Sequence, residues 1–274
     1  MKKKFKLLAV LAHPDDESLG FGGTLARYAA EGVETYLLTA TRGERGRFGS
    51  LGKRGDPSEV GRVREAELRA AAAVLGIREV SILGYPDGAV DQVDSTTAIC
   101  AVVSHIRRVQ PDVVVTFGPE GAYGHPDHIA ISQITTAATV CSADCRYRVD
   151  DDSGFDSLLP HRVAKLHYLA WRSNKWDVYQ SAFRRLTSMV DGVERQAAPW
   201  PDWAVTTEID TAAFWAIVWK AVCCHETQIS IYERLQSLTE DQQTALWGSQ
   251  EFYRAYSSVN GGRKLETDLF EGLR

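Results

Sequence analysis

The sequence predicts a single α/β domain over residues 1–274, built on a Rossmann-like, mostly parallel sheet with helices on both faces. Two observations carry this expectation. Short apolar runs alternate along the chain with segments of helical periodicity, the pattern of strands joined by crossover helices. Two polar knots, Ala12-His13-Pro14-Asp15-Asp16-Glu17 and His125-Pro126-Asp127-His128, each come after one of those runs, so both sit where a buried strand would end. With 44% hydrophobic residues, a chain of this length can build a substantial core.

The first expected strand, 7–12, runs into the first knot and then into Leu19-Gly20-Phe21-Gly22-Gly23-Thr24 and a helix at 25–30. A strand at 35–40 leads to a basic, glycine-punctuated loop carrying Arg42, Arg45, Arg47, Lys53 and Arg54, which could receive an acidic substrate but reads more simply as a solvated loop. A helix at 59–75 follows and stops at Gly76, as a left-handed cap would. A strand at 80–83, the turn residues Pro86-Asp87-Gly88, a helix at 98–109 and a strand at 113–117 complete the regular part. Residues 141–160 hold Cys141, Cys145 and Asp150-Asp151-Asp152-Ser153-Gly154; they break the periodicity and read as an inserted loop ahead of a strand at 164–171. A helical stretch is expected at 211–226. Most of the tryptophans read as core.

Charge and cysteine usage exclude several classes. A net charge of −5 gives no long-range attraction to phosphate backbones, so nucleic acid is not an expected partner. The start Met1-Lys2-Lys3-Lys4-Phe5-Lys6 imitates a secretory leader, but the apolar stretch behind it is too short, and cleavage there would cut into the first knot. No run is long enough to span a bilayer. Five cysteines, with Cys223 and Cys224 adjacent, make a poor disulfide framework, so a cytoplasmic location is expected. The oligomeric state cannot be read from the sequence.

In an open α/β sheet, ligands bind outside the carboxyl ends of the strands. His13 and Asp16 can reach one ion from a tight turn, and His128 can supply a third ligand from the far strand, leaving a coordination position for water. Two imidazoles and a carboxylate suit a catalytic Zn2+, whereas a structural zinc would be closed by four protein ligands. Fe2+ and Co2+ accept the same donors. Such an ion brings the pKa of its bound water down to about 7, which makes the site hydrolytic. Asp15 lies beside Asp16 without sharing its direction, so it can take the water proton as general base. His125, as an imidazolium at the mouth, can stabilise an oxyanion or protonate a leaving amine. Asp127 is placed to orient one of the rings, and Tyr123 adds a hydroxyl donor.

These two knots resemble the AHPDDE and HPDH signatures of the PIG-L/LmbE-like zinc-dependent N-deacetylases. The resemblance extends through residues 19–24, Thr41-Arg42-Gly43-Glu44, Arg64, Glu67, Leu75, Gly76, Leu83-Gly84-Tyr85-Pro86-Asp87-Gly88 and the segment 220–228 with His225. Residues 141–210 match nothing in that pattern. The resemblance implies removal of an N-acetyl group from an N-acetylglucosamine-type amino sugar, free or within a larger small molecule. It implies zinc on His13, Asp16 and His128, Asp15 as base, and His125 assisting the tetrahedral intermediate. Arg64 and Asp87 fall where the family contacts its sugar, and Tyr123 joins them as a substrate-side residue.

Other readings stay open at this point. Asp16 and its neighbours also suit a helix N-cap. His105, His161 and His167 read as structural, and His225 reads equally as packing or as part of the site rim. The glycines after the first knot do not follow G-x-G-x-x-G, and no acidic residue ends the second strand, so they suit close packing better than a dinucleotide. Cys141 and Cys145 lack partners for a metal, and the aspartates from 150 onward lack the closing glutamate of a calcium loop. Hydrolysis of another N-acyl group on a glucosamine-containing thiol conjugate, or non-catalytic binding of a sugar or nucleotide, are the competing functions.

Overall fold

The computed structural model describes residues 4–46, 55–149, 158–183, 187–190, 192–196, 198–230, 233–262 and 264–274. Arg47, Lys53, Arg54 and the run from Asp150 to Gly154 lie outside the described residues.

The apolar runs form the middle of one seven-stranded sheet. Its parallel part consists of β1 (Lys6–Leu11), β2 (Glu34–Thr39), β3 (Glu79–Ile82), β4 (Val113–Thr116) and β5 (Lys165–Leu169), in the order β3-β2-β1-β4-β5. Leu7 pairs with Thr35 on one side and with Val113 on the other, so β1 is central and its residues from Leu7 to Leu11 are fully buried. A small hairpin of β6 (Ser188–Val190) and β7 (Val193–Arg195) stands apart. β8 (Thr207–Asp210) and β9 (Ser249–Ser257) close the sheet beyond β5 with antiparallel pairing.

Between the strands run α1 (Asp16–Leu19), α2 (Gly22–Ala30), α3 (Pro57–Leu75), α4 (Ser95–Val109), α5 (Gly121–Gly124) and α6 (Pro126–Cys141). Then come α7 (Ser173–Phe183), α8 (Trp215–Val222), α9 (Glu233–Gln236) and α10 (Glu240–Trp247). From β1 the chain steps outward to β2 and β3, then returns to place β4 on the other side of β1. Right-handed crossovers that change direction must change face. Accordingly α2 and α3 pack with α8, while α4 packs with α6. The crevice opened by this reversal lies between the carboxyl ends of β1 and β4.

The expected elements are present, with shifted ends. The 59–75 helix starts at Pro57 because Asp56 caps it, accepting the Glu59 amide at 3.2 Å, and it ends on Gly76 at φ 74° as expected. The 98–109 helix starts at Ser95, behind Asp94. The 25–30 helix begins earlier, at Gly22, and takes in both glycines. A Cβ on Gly23 would lie 2.7 Å from the Thr211 Cβ, so tertiary contact with the C-terminal third outweighs the cost of about 1 kcal/mol for glycine inside a helix. The expected helix at 211–226 is broken: a short 3-10 turn, Ala212–Phe214, precedes α8, and a second, Glu226–Gln228, follows it.

The start of the expected insertion is not loose. Cys141 ends α6, and the Arg107 guanidinium donates to the carbonyls of Ser142, Tyr147 and Asp144 at 3.2, 3.0 and 2.8 Å. His161 contacts the Pro111 carbonyl at 2.8 Å, His105 lies in α4, and His167 is buried in β5, all consistent with structural roles. Trp176 and Trp247 are core, whereas Trp203 is exposed. Among the described residues no helix is long and apolar enough to cross a membrane.

Candidate active site

β1 delivers Ala12 and His13 to its carboxyl end, where the chain reverses through Asp15 at φ 110° and ψ −26°. A non-glycine residue held there costs on the order of 1–3 kcal/mol, so its surroundings must enforce it. They do so from several directions. Asp16 Oδ2 accepts the amides of Ala12 and His13 at 3.2 and 2.7 Å, and Glu17 Oε2 accepts the Asp15 amide at 3.0 Å. Arg64, buried on α3, donates to the Pro14 carbonyl at 2.5 Å, to the Gly43 carbonyl at 2.7 Å and to Asp15 Oδ2 at 3.0 Å.

β4 delivers the second knot by way of α5, which contains the left-handed residue Ala122. His125 is the N-cap of α6: its Nδ1 accepts the Asp127 amide at 3.2 Å, and Pro126 occupies the first helical turn. This cap fixes Asp127 and His128 one turn in, both buried. The Phe117 ring stacks on His128 with centroids 4.0 Å apart and holds it against the crevice.

The two knots meet ring to ring. His13 Nδ1 lies 3.2 Å from His128 Nε2, while Asp16 places Oδ1 3.4 Å from His128 Nε2 and Oδ2 3.7 Å from His13 Nδ1. The other nitrogen of His13, Nε2, donates to Asp127 Oδ2 at 3.0 Å and lies 3.2 Å from Asp87 Oδ1. Asp127 also accepts the amides of Gly88 and Val90 at 2.6 and 3.1 Å, and Asp87 accepts the Arg45 amide at 2.8 Å. Donor atoms of His13, His125 and His128 lie within 4.8 Å of one another, and so do those of His13, Asp87 and Asp127. The second group is already a hydrogen-bonded carboxylate cradle that fixes one ring. That is how a carboxylate behind a ligating histidine sets its tautomer and orientation. The first group, with Asp16, leaves His13 Nδ1 and His128 Nε2 pointing at one spot, and that donor chemistry fits a divalent transition metal.

The three carboxylates around His13 dominate the electrostatics of the site. Burial disfavours charge on His13, but Asp127, Asp87 and Asp16 outweigh it and push its pKa up to about 10. Burial and the neighbouring His13 push His128 well down, and burial raises Asp16. Burial and the His13 charge push His125 down to about 4. Burial near Asp16 and Asp15 raises the Tyr123 phenol, which therefore stays protonated; its ring lies edge-on to His128 at 5.2 Å.

All nine residues singled out from the sequence thus meet at one crevice: His13, Asp15, Asp16, Arg64, Asp87, Tyr123, His125, Asp127 and His128. Two differ in task from the expectation. Arg64 and Asp87 spend their polar atoms within the protein, on Asp15 and on His13, and both are buried. Sequence reasoning passed over Glu17, Glu44, which accepts the Asp87 amide at 2.8 Å, and the placement of His225. His225 is not at the rim: it is fully buried, 2.8 Å from Glu17. Glu17 stood inside the first knot, which was the signal available for it.

Fold and site together define an α/β protein whose chemistry sits at the switch point of a mostly parallel sheet. Residues 8–139 match the family described as PIG-L: GlcNAc-PI de-N-acetylase. The chain is 32% identical to the 1D-myo-inositol 2-acetamido-2-deoxy-alpha-D-glucopyranoside deacetylase of Streptomyces avermitilis, over 98% of this chain and 97% of the relative. The solved structure of the conserved protein TT1542 from Thermus thermophilus is similar at a TM-score of 0.64 and 26% identity, covering 93% of this chain and 96% of the other. The 4-carboxy-2-hydroxymuconate hydratase of Pseudomonas putida shares the fold, with a TM-score of 0.66, 19% identity and coverage of 94% and 99%. The chain belongs to the PIG-L family of de-N-acetylases. Because the same fold carries a hydratase, the reaction has to be argued from the site.

Proposed function

We infer that this protein is a metal-dependent hydrolase that removes the N-acetyl group from an N-acetylglucosamine-type amino sugar. One observation carries the reading: His13 Nδ1 and His128 Nε2 face each other at 3.2 Å with Asp16 beside them, at the carboxyl ends of β1 and β4. His13, Asp16 and His128 would hold the ion, with Zn2+ the best match to two imidazoles and a carboxylate, and Fe2+ or Co2+ able to use the same donors. When bound, the ion supplies a Lewis acid and a water of lowered pKa.

The chain's own groups do the rest. Asp15, drawn by Arg64 and only partly exposed, takes the proton of the attacking water. His125 spends Nδ1 as the acceptor of the Asp127 amide, so its neutral ring carries hydrogen on Nε2. With its pKa pushed down to about 4, it acts at neutral pH as a neutral donor to the developing oxyanion rather than as the expected imidazolium. Water adds to the amide carbonyl, Asp15 passes the proton it took to the leaving nitrogen as the C–N bond breaks, and acetate and the free amino sugar are released. Asp127 keeps His13 in the tautomer that presents Nδ1, and Asp87 supports it. Tyr123, half-buried, lies on the substrate side, while Arg64 and Asp87 act there through Asp15 and His13. The name of the Streptomyces avermitilis relative, an acetamido sugar on inositol, supports an amino sugar carrying a small polar aglycone. The five free cysteines support a cytoplasmic location.

The test is amine release from N-acetylglucosaminyl-inositol and from N-acetylglucosamine by the chain loaded with Zn2+, Fe2+ or Co2+, with propionyl and larger acyl analogues beside the acetyl compound. Release that prefers acetyl supports the reading. No release with any of the three metals rejects it, and equal rates across acyl groups replace it with a broader amidase.

A further inference from the structure

Glu17 and His225 are fully buried and lie 208 positions apart in sequence. Glu17 uses both oxygens. Oε2 accepts the Asp15 amide at 3.0 Å, while Oε1 receives the Ser18 hydroxyl at 2.6 Å and His225 Nε2 at 2.8 Å. His225 sits in the turn between α8 and the 3-10 segment Glu226–Gln228. That turn is tied to α3, because Thr227 donates its amide and hydroxyl to the Glu67 carboxylate at 2.8 and 2.7 Å. Arg64, one turn earlier on the same helix, holds the Asp15 carboxylate. The two ends of Asp15 are therefore gripped from one frame: its carboxylate by Arg64, and its amide by Glu17, which is backed by His225.

We propose that the buried Glu17–His225 pair is a positioning device for Asp15, which holds that residue in its left-handed conformation so that its carboxylate faces the attacking water. This rests on Asp15 acting as the base. The C-terminal third thereby takes part in a reaction whose ligands all come from the first half of the chain. Buried supports of this kind act through geometry: a displacement of about 1 Å at a reacting group can cost about 100-fold in rate. A purely structural pair would instead lower stability without singling out the step that uses Asp15.

The experiment uses the full chain loaded with Zn2+ and N-acetylglucosaminyl-inositol as substrate. His225→Ala is expected to lower kcat about 10- to 100-fold while KM stays within about 2-fold and zinc stoichiometry is unchanged. His225→Gln, which returns an N–H donor, is expected to recover most of the rate; it also serves if the alanine variant does not fold. In an Asp15→Asn background, His225→Ala is expected to have no further effect beyond about 2-fold. The proposal is overturned if His225→Ala leaves kcat unchanged, if its effect is as large without the Asp15 carboxylate as with it, or if zinc is lost in parallel with rate. Should the wild-type chain release no amine, the deacetylase reading fails by itself, and amide hydrogen exchange then decides the positioning. Loss of protection at the Asp15 amide in His225→Ala, with the sheet amides unaffected, sustains it; unchanged protection overturns it.

Discussion

Two buried polar clusters lie in this sheet, and they are built on opposite principles. Between β5, β9 and the C-terminal segment, Glu266 meets Lys165 at 2.9 Å and Arg254 at 2.6 Å, both of opposite charge, with His167 alongside. Burial works against the Glu266 carboxylate, but these partners outweigh it and hold its pKa down to about 2. At the carboxyl ends of β1 and β4, two imidazole nitrogens instead face each other beside Asp16, burial raises Asp16, and burial together with the neighbouring His13 drives His128 down. The first cluster pairs a carboxylate with cations of the chain, and the second turns donor atoms from two strand ends toward one spot. A buried carboxylate whose cations the chain supplies reads as architecture, and donor atoms converging at strand ends read as function.

The largest effect that would break this contrast is removal of a ligand. His128→Ala is expected to abolish both metal retention and turnover, checked by elemental analysis beside amine release, whereas it should leave the melting transition cooperative. Asp15→Ala is expected to keep the metal and lose about 100- to 10,000-fold in kcat. Metal loss equal to that of His128→Ala would instead move Asp15 among the ligands. Asp127→Asn, which alters the group that fixes His13, is expected to cost about 10- to 100-fold in metal affinity or rate, read by competition with a chromophoric chelator.

On turnover the smallest effect belongs to the other cluster. Glu266→Gln should leave kcat and KM near wild type yet cost about 3–5 kcal/mol of stability in urea titrations, because Lys165 is left buried and unpaired. Its pH dependence has a definite sign. The folded pKa of Glu266 lies below the ordinary value of 4.5, so the stabilisation is complete above that value and is lost as pH falls through about 2. The gap between wild type and Glu266→Gln should therefore be constant from pH 7 to about pH 5 and narrow below it. A gap that widens on acidification would contradict the assignment of charge.

The parallel sheet and the His13–Asp16 turn were legible because both depend on short-range signals: uninterrupted apolar runs, and donors clustered within one turn. What the sequence hid was long-range. Nothing near Gly22 and Gly23 says that Thr211 and Val218 will pack on them, so local propensity started α2 too late. The break after Val222 exists where His225 reaches a partner 208 residues away, and helical periodicity has no means of showing it. Arg64 and Asp87 were visible as site residues, but their partners were not: it takes the fold to show that one grips Asp15 and the other backs His13.

We propose that His13, Asp16 and His128 hold an ion on which hydrolysis depends. The most direct test is amine release from an N-acetylglucosamine-type substrate by chelator-stripped protein, titrated with Zn2+. No release is expected before addition, and a rise that levels off at one ion per chain is expected after it. Turnover that persists in the stripped protein, or that is absent at every zinc level, would contradict it.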